Sequence, residues 1–329
     1  MKLKRLTALL LSVMLVLSLA ACGGGKDAKD DSADGDLSGK EIIIGNITPV
    51  TGAQAAYGLA ITNSIQMAID EINADGGILG ATVKLSTKDD QGTPAEAVSG
   101  FNSLLSEGAA AIIGATLSSC TSAITSLADD EGIVLVTPSS TADSITTTDD
   151  YVFRSCFKDS FQGEMVAAYA KDQGWTKAAV LYATGDTYSS GLHDSFVKAA
   201  EKYGIEIVCE QSSSDTGAVD FSSQLATIAA SGADMLFAPY YYDAVGPKII
   251  PQAREAGFKG AIMGCDGFDG TQDYTTGDLS AYENVYFTNH YSPEDSSEIV
   301  QSYVKNYTEK YGSESMNALG ALAYDAMYM

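Results

Sequence analysis

The sequence has few basic residues and almost no histidine. Its 329 residues include 19 Lys and Arg against 43 Asp and Glu, for a formal net charge of −24, and only two His. A chain this acidic repels phosphate backbones and has little positive charge with which to displace their counterions. We therefore exclude nucleic acid as a partner.

Sequence motifs of common enzyme and nucleotide sites are also missing. Neither G-x-x-x-x-G-K-[ST] nor G-x-G-x-x-G occurs, and no nucleophile, base and orienting residue surround His193 or His290. We interpret both histidines as surface or packing residues. The Asp89-Asp90 pair is interpreted as solvated loop carboxylates rather than as an acid–base or calcium site. The sequence thus predicts a protein that is not an enzyme and that uses no cofactor.

Cysteines are too few and too scattered to form a metal site. No C-x-x-C pair is present and no His lies at ligand spacing, so we expect no metal. An exported protein can form disulfides, but a chain of this length has a core large enough to need none. We expect free thiols at the four cysteines of the body, which are Cys120, Cys156, Cys209 and Cys265.

Only the N-terminus carries a long apolar run. Three basic residues precede residues 6–19, a stretch too short to span a membrane and typical of a secretory signal. The following L-A-A-C at 19–22 resembles the lipobox of bacterial lipoproteins, in which a diacylglyceryl group is attached to the cysteine. We predict a signal peptide at 1–21 and lipidation of Cys22, with an ordinary signal peptide and a chance cysteine as the alternative.

Residues 23–40 are rich in Gly, Ser and Asp and hold too little apolar surface to fold. We interpret residues 22–40 as the lipidated cysteine and a flexible tether, which would hold the body on the order of 25 Å from the membrane. The sequence therefore predicts a protein anchored by lipid on the extracytoplasmic face of the cell membrane.

From residue 41 onward, short apolar runs alternate with segments of helical periodicity. Predicted strands lie at 42–44, 83–86, 111–114, 133–136, 178–182, 205–209, 235–238, 261–264 and 285–288. Predicted helices include 61–72, 95–107, 162–172, 192–203 and 244–256. Apolar strands joined by helices indicate parallel sheets covered on both faces. The fold class is α/β, with two doubly wound parallel-sheet lobes.

In such sheets ligands bind beyond the carboxyl ends of the strands. The segments at these positions are rich in hydroxyl groups and tyrosines, contain an acid, and have no Lys, Arg or His. They are NITPVTGAQAAY at 46–57, ATLSSC at 115–120, TPSST at 137–141, ATGDTY at 183–188, PYYY at 239–242 and CDGFD at 265–269.

Motifs in these and neighbouring segments carry a family resemblance. They are I-x-I-G at 42–45, T-G-A-Q-A-A-Y-G at 51–58, D-E-I-N-A-D-G-G-I-L-G at 70–80, I-I-G-A-T-L-S-S at 112–119, E-G-I-V-L-V-T-P-S-S-T at 131–141, Q-A-R-E-A-G-F at 252–258 and G-C-D-G at 264–267. In order and spacing they resemble the type I periplasmic-binding-protein fold and, within it, the Leu/Ile/Val-binding proteins of bacterial ABC transporters. The resemblance runs from residue 41 to the last residue.

The resemblance implies two lobes joined by a hinge, the first at 41–157 plus 288–329 and the second at 158–287. The final helix resembles the Y-D-A helix of the family, whose members continue with further elements. We therefore expect that the C-terminal end of the first lobe is truncated in this sequence.

The resemblance also implies how the polar ends of an amino acid are bound. Ser118 matches the serine that holds the α-carboxylate, and Ser119 opens the next helix, whose N–H groups favour an anion. Ser139 matches the residue whose backbone carbonyl accepts a hydrogen bond from the ligand ammonium. Thr141 matches the threonine that contacts both charged groups of the ligand. Asp266 matches the acidic partner of the ammonium, which is Glu in the best-known leucine binders.

Leu117, Tyr57, Tyr188 and Tyr241 complete the implied site, and the tyrosines form the wall of the side-chain pocket. The Tyr240-Tyr241-Tyr242 run leaves open whether Tyr241 or Tyr242 faces the cleft.

The implied function is capture of an amino acid, branched-chain or otherwise apolar, and its delivery to the permease subunits of an ABC importer by a monomeric protein. A sensor module of the same fold and a binder of small amides, urea or aromatic acids are the alternatives. A secreted hydrolase ranks last, because no catalytic set is visible.

Overall fold

The computed structural model describes residues 35–147 and 150–329. The predicted signal peptide, the lipidation site Cys22 and most of the predicted tether lie outside the described residues. Within the described ranges, no helix is both long and apolar enough to cross a membrane.

The first sheet contains β1 (Glu41–Thr48), β2 (Thr82–Asp89), β3 (Ala111–Gly114), β4 (Val134–Thr137) and β5 (Val152–Arg154). Neighbouring strands are parallel, and their order is β2-β1-β3-β4-β5. The sheet is joined by helices α1 (Ala55–Ala74), α2 (Pro94–Glu107), α3 (Ser118–Ser122) and α4 (Thr125–Glu131). Helix α1 buries Ile61, Ile65 and Ile69, the stripe that its helical spacing predicts. This sheet and its helices are called the first lobe below.

The second sheet contains β6 (Lys177–Ala183), β7 (Glu206–Ser213), β8 (Met235–Phe237), β9 (Ala261–Gly264) and β10 (Val285–Phe287). It is also parallel, in the order β10-β9-β8-β6-β7. Its helices are α5 (Asp159–Asp172), α6 (Thr187–Tyr203), α7 (Ser222–Ala230) and α8 (Ile250–Glu255). This sheet and its helices are called the second lobe. The predicted fold class, two parallel-sheet α/β lobes, is confirmed.

Two helices follow β10 and pack on the first lobe. They are α9 (Glu298–Tyr311) and α10 (Ala318–Ala326). Tyr303 of α9 makes a hydrogen bond of 2.9 Å with Ser64 of α1, and Gly320 of α10 lies against Ala60 of the same helix. This packing supports the proposed assignment of residues 288–329 to the first lobe, which remains a prediction together with its boundaries.

The structure departs from the predicted elements in two places. Strand β5 is absent from the prediction because it has three residues and its Phe153 side chain is half exposed, so no apolar run marks it. The predicted helix at 244–256 is interrupted: a turn at Tyr242–Ala244 leads into a π-helical segment, Val245–Ile249, before α8 begins. Pro247 lies within this segment and has no N–H to donate, which disfavours a regular α-helix there.

The four body cysteines are free thiols in the structure, and all but Cys209 are buried. The interpretation of the Asp89-Asp90 pair as solvated carboxylates is wrong for Asp90. Its carboxyl is not solvated, because the residue has no exposed surface and its Oδ1 accepts from the Gly92 N–H.

Candidate functional site

A small cavity lies where the carboxyl ends of both sheets face each other. The small size of this cavity excludes a macromolecule as its ligand. The lining residues of the first lobe and of α10 are Tyr57, Thr116, Leu117, Ser118, Ser139 and Leu319. Those of the second lobe are Tyr188, Tyr241, Asp266 and Gly267.

Hydroxyl groups occupy the first-lobe end of the cavity, in the loops after β3 and β4. Ser118 is the first residue of α3, and its Oγ accepts from the Ala142 N–H at 3.4 Å. The Ser118 hydroxyl proton therefore remains to be donated to an anion. Ser139 donates its own hydroxyl to the Thr116 carbonyl at 2.8 Å, which holds the β4 loop against the β3 loop.

Asp266 occupies the opposite end, directly after β9, and is 3% exposed. Its Oδ1 accepts from Gln162 Nε2 at 2.7 Å and from the Tyr188 hydroxyl at 3.0 Å. Its Oδ2 lies 3.6 Å from His290 Nε2. The His290 side chain is buried and stacks on Phe157 with ring centroids 3.6 Å apart, so it packs as the sequence interpretation expects and also faces the acid.

Tyrosine rings form the walls between the two ends. Tyr188 and Tyr241 stack with centroids 5.0 Å apart, and Tyr57 meets Tyr241 edge to face at 6.5 Å. Burial raises the pKa of all three phenols well above their ordinary value. The walls are therefore uncharged at any physiological pH, and with Leu117 and Leu319 they present an apolar surface.

Hydrogen bonds cross from one lobe to the other around the cavity. Tyr57 of α1 donates to the Gly267 carbonyl at 2.7 Å, and Gln54 donates to Asp243 at 2.9 Å. Tyr242 donates its hydroxyl to the Ala53 carbonyl at 2.9 Å and accepts from the Ala56 N–H at 3.2 Å. The structure therefore shows the two lobes in a closed arrangement.

The structure places Tyr241 and Tyr242, which follow β8, in different surroundings. Tyr241 lines the cavity, whereas Tyr242 binds the start of α1 outside it. Of the two tyrosines between which the sequence left the choice open, Tyr241 therefore lines the cavity.

Two predicted residues are not in the lining. The Ser119 side chain does not reach the cavity, and α3 has only five residues, so its dipole is weaker than the sequence suggests. Thr141 lies behind the lining, fully buried, and its Oγ1 has no hydrogen-bond partner.

Other residues at the site were not predicted. Thr116 and Gly267 adjoin predicted residues, and their strand-end positions were a usable signal. Leu319 comes from α10, and Gln162 comes from α5 after the chain has crossed between the sheets. No sequence pattern places these two at the ends of strands, because only the packing of distant helices brings them there.

Two lobes that close over a small cavity at the carboxyl ends of parallel strands define a protein that binds a solute. The model of the periplasmic binding protein family matches residues 41–329. The chain belongs to this family, and the resemblance predicted from the sequence is confirmed. It is accordingly a binding protein and not an enzyme.

Similar proteins agree with this assignment. The chain is 32% identical over 251 residues to a protein of Brucella melitensis named Leu/Ile/Val-binding protein homolog 3, covering 76% of this chain and 67% of that one. Two solved structures have TM-scores of 0.79. One is the leucine-binding protein LivK of Thermotoga maritima, at 32% identity, covering 87% of this chain and 81% of the other. The second is the branched-chain amino acid substrate-binding protein LivJ of Streptococcus pneumoniae with isoleucine, at 31% identity, covering 88% and 82%.

Proposed function

We propose that the protein captures an amino acid with an apolar, branched side chain in the cavity between its lobes. The observation that carries the proposal is the arrangement of the lining, with the Ser118 hydroxyl at one end, the Asp266 carboxyl at the other and uncharged tyrosine and leucine walls between them. A zwitterion with an apolar side chain complements all three features. The names of similar proteins agree with this ligand class: one is a Leu/Ile/Val-binding protein homolog, and another is a LivJ structure in complex with isoleucine.

Each end of the ligand has a partner of suitable chemistry. Ser118 donates to the α-carboxylate, and Asp266 pairs with the α-ammonium, a charge-assisted bond between buried groups. The remaining site residues carried over from the family are Ser119, Ser139, Thr141 and the tyrosines at 57, 188 and 241, and their roles belong to this proposal. Each additional CH₂ that the ligand buries against the walls contributes about 0.8 kcal/mol, which favours branched aliphatic side chains over alanine.

Ligand binding should change the arrangement of the two lobes, and a partner protein can detect this change. Ser118 and Asp266 lie on different lobes, so a ligand that touches both binds the closed arrangement better than an open one and shifts the population toward it. The permease subunits of an ABC importer can then distinguish a loaded protein from an empty one. We place the protein on the extracytoplasmic face, held to the membrane through a lipid on Cys22 and the tether at 22–40, and acting as a monomer.

Substitution of Asp266 tests the site. Asp266→Ala should reduce leucine, isoleucine and valine binding below detection, because it leaves the ammonium buried without its partner. Isothermal calorimetry measures the binding, and thermal unfolding verifies the fold. Asp130→Ala, an exposed acid of α4, is the matched control and should bind as the wild type does.

Unchanged affinity in the Asp266 variant would contradict the site assignment. The absence of heat with every amino acid in the wild type would contradict the ligand class. A thermal-shift screen that includes small amides, urea and benzoate covers the alternative ligands, since a ligand at 100 times its Kd stabilises the fold by about 2.7 kcal/mol. Reconstitution with permease subunits distinguishes an importer component from a sensor module.

A further inference from the structure

His290 is a buried histidine that the proposed function does not use. Only 3% of its side chain is exposed, and its Nε2 has no hydrogen-bond partner. Asp266 Oδ2 lies 3.6 Å from this nitrogen, which is too long for a hydrogen bond but close enough for an ion pair. A buried polar atom without a partner is costly, so the position of this nitrogen beside the acid of the ligand site calls for a physical reason.

Two neighbouring strands of the second sheet bring His290 and Asp266 together. Asp266 follows β9 and His290 follows β10, and these strands are parallel neighbours, so their carboxyl ends lie at the same edge. The Thr288 N–H donates to the Gly264 carbonyl at 3.3 Å, which continues the strand pairing toward both residues. Because both residues follow strands of one sheet, we expect them to stay together whether the lobes are open or closed.

The imidazole of His290 faces the one oxygen of Asp266 that no protein group occupies. Asp266 Oδ1 already accepts from Gln162 Nε2 at 2.7 Å and from the Tyr188 hydroxyl at 3.0 Å. Oδ2 is therefore the oxygen that remains for a ligand ammonium, and it is also the oxygen nearest His290 Nε2. Stacking on Phe157, with the ring planes 26° apart, holds the imidazole in this place.

No other group near Asp266 can become positive. Of the residues that the structure describes, only His290 lies within ion-pair distance of Asp266. His290 also lines the groove between α9 and α10, whose other titratable groups are Tyr291, Tyr303, Tyr324 and Asp325. Burial raises the pKa of these three phenols and of this carboxyl, so the phenols are uncharged near neutral pH. Asp159, to which Gln162 Nε2 donates at 3.5 Å, is a further acid on the α5 side.

We propose that His290 is a positioning residue that makes amino-acid capture depend on pH. A histidine ordinarily changes its charge between pH 5 and 8. Neutral His290 leaves the charge of Asp266 Oδ2 to the ligand ammonium, whereas protonated His290 pairs with the same oxygen and repels the ammonium. Binding of the amino acid therefore releases the imidazole proton to the solvent, and acidification releases the amino acid. This inference rests on the proposed amino-acid function.

Calorimetric titration with leucine at two pH values tests the proposal. Leucine affinity should fall about tenfold from pH 7.5 to pH 5.5, within the limit of about tenfold per pH unit that one linked proton sets. Titration at pH 5.5 in two buffers with different heats of ionisation counts the protons, and up to about one should leave for each leucine bound. Leucine is a zwitterion at both pH values, so the ligand does not supply this proton.

His290→Phe keeps a ring that stacks on Phe157 but cannot take up a proton. It should bind leucine with the same affinity at both pH values and release no proton. His290→Gln carries the same test if the phenylalanine variant does not fold. His193→Phe is the matched control, because His193 also stacks on an aromatic ring, that of Tyr182 at 3.9 Å, and faces an acid, Glu210 at 2.7 Å, but does not line the cavity. It should keep the pH dependence of the wild type.

Equal leucine affinity at pH 7.5 and pH 5.5 in the wild type would overturn the proposal. So would a His290 variant that binds leucine more weakly at both pH values yet still releases the proton, since that result shows a structural role. Thermal unfolding at pH 5.5 verifies that each protein is folded. Failure of the proposed function itself gives a different result, namely a wild-type protein that binds no amino acid at either pH.

Discussion

Two adjacent carboxyls at the end of β2, Asp89 and Asp90, differ in burial and therefore in how they respond to pH. Asp90 follows β2 and is buried, and burial raises its pKa to about 6. Asp89, next to it, accepts bonds from the Val50 and Thr51 N–H groups and from the Thr51 hydroxyl, and these lower its pKa although its partial burial opposes them. Two adjacent residues of the same type thus have opposite effects on stability.

Asp90→Asn should flatten the pH dependence of stability. In the wild type the folded Asp90 binds a proton between pH 4 and 6 that the unfolded chain releases, so its contribution to the free energy of unfolding falls as pH rises through this range. A pKa raised from about 4 to about 6 corresponds to about 3 kcal/mol at most. The variant should therefore gain stability relative to the wild type at pH 7.5 and not at pH 4, as measured by urea unfolding of the ligand-free protein.

Asp89→Asn should change the stability at neutral pH in the opposite direction. Its folded pKa is lowered, so the carboxylate stabilises the protein at neutral pH and loses that effect as pH falls through its folded pKa. The Asn variant should be less stable than the wild type at pH 7.5. The same pH dependence in wild type and Asp90→Asn would contradict the assignment of Asp90.

The turn at Tyr242–Ala244 links the lobes without touching the ligand cavity. The Tyr242 hydroxyl binds the backbone at Ala53 and Ala56, just before and within α1, whereas the neighbouring Tyr241 lines the cavity. Bonds of this kind exist only when the lobes are together. They stabilise the closed state and leave an open state unaffected.

Tyr242→Phe should weaken amino-acid binding about fivefold to thirtyfold through faster dissociation, because the closed state loses two hydrogen bonds. Stopped-flow release of leucine measures the rate. Tyr282→Phe is the matched control: its hydroxyl also donates to a carbonyl, that of Gly246, and accepts from an N–H, that of Thr276, but both partners lie within the second lobe. Equal dissociation rates in the Tyr242 variant and the wild type would contradict the role of this contact.

Strands and helices with strong periodicity were predictable from the sequence. The strand at 111–114 was predicted where it lies, because four apolar residues stand between a helix and a loop. Strand β5 and the π-helical segment were not predictable from the sequence. Strand β5 has no apolar run to mark it, and the π-helical segment depends on how Gly246 and Pro247 pack. Gly246 illustrates this: a Cβ there would lie 3.0 Å from the Tyr274 carbonyl oxygen.

In the whole molecule, the site follows from topology more than from any single motif. Ser118, Tyr188 and Asp266 are far apart in sequence. The rule that ligands bind at the carboxyl ends of parallel strands indicated the segments that contain them, the family resemblance singled out the three residues, and the structure brings them to one cavity. Leu319 and Gln162 were not predicted, because the position of Leu319 depends on the packing of α10 and that of Gln162 on where the chain crosses between the sheets. The net charge of −24 provides no net attraction for the proposed ligand, a neutral zwitterion.

A crystal structure of the protein with leucine tests the central claim most directly. We expect the ligand between the closed lobes, with its α-carboxylate within hydrogen-bond distance of Ser118 Oγ and its α-ammonium within that distance of the Asp266 carboxyl. Leucine bound with its ends reversed, or bound in the apolar groove between α9 and α10 beside Ile299 and Leu322, would contradict it.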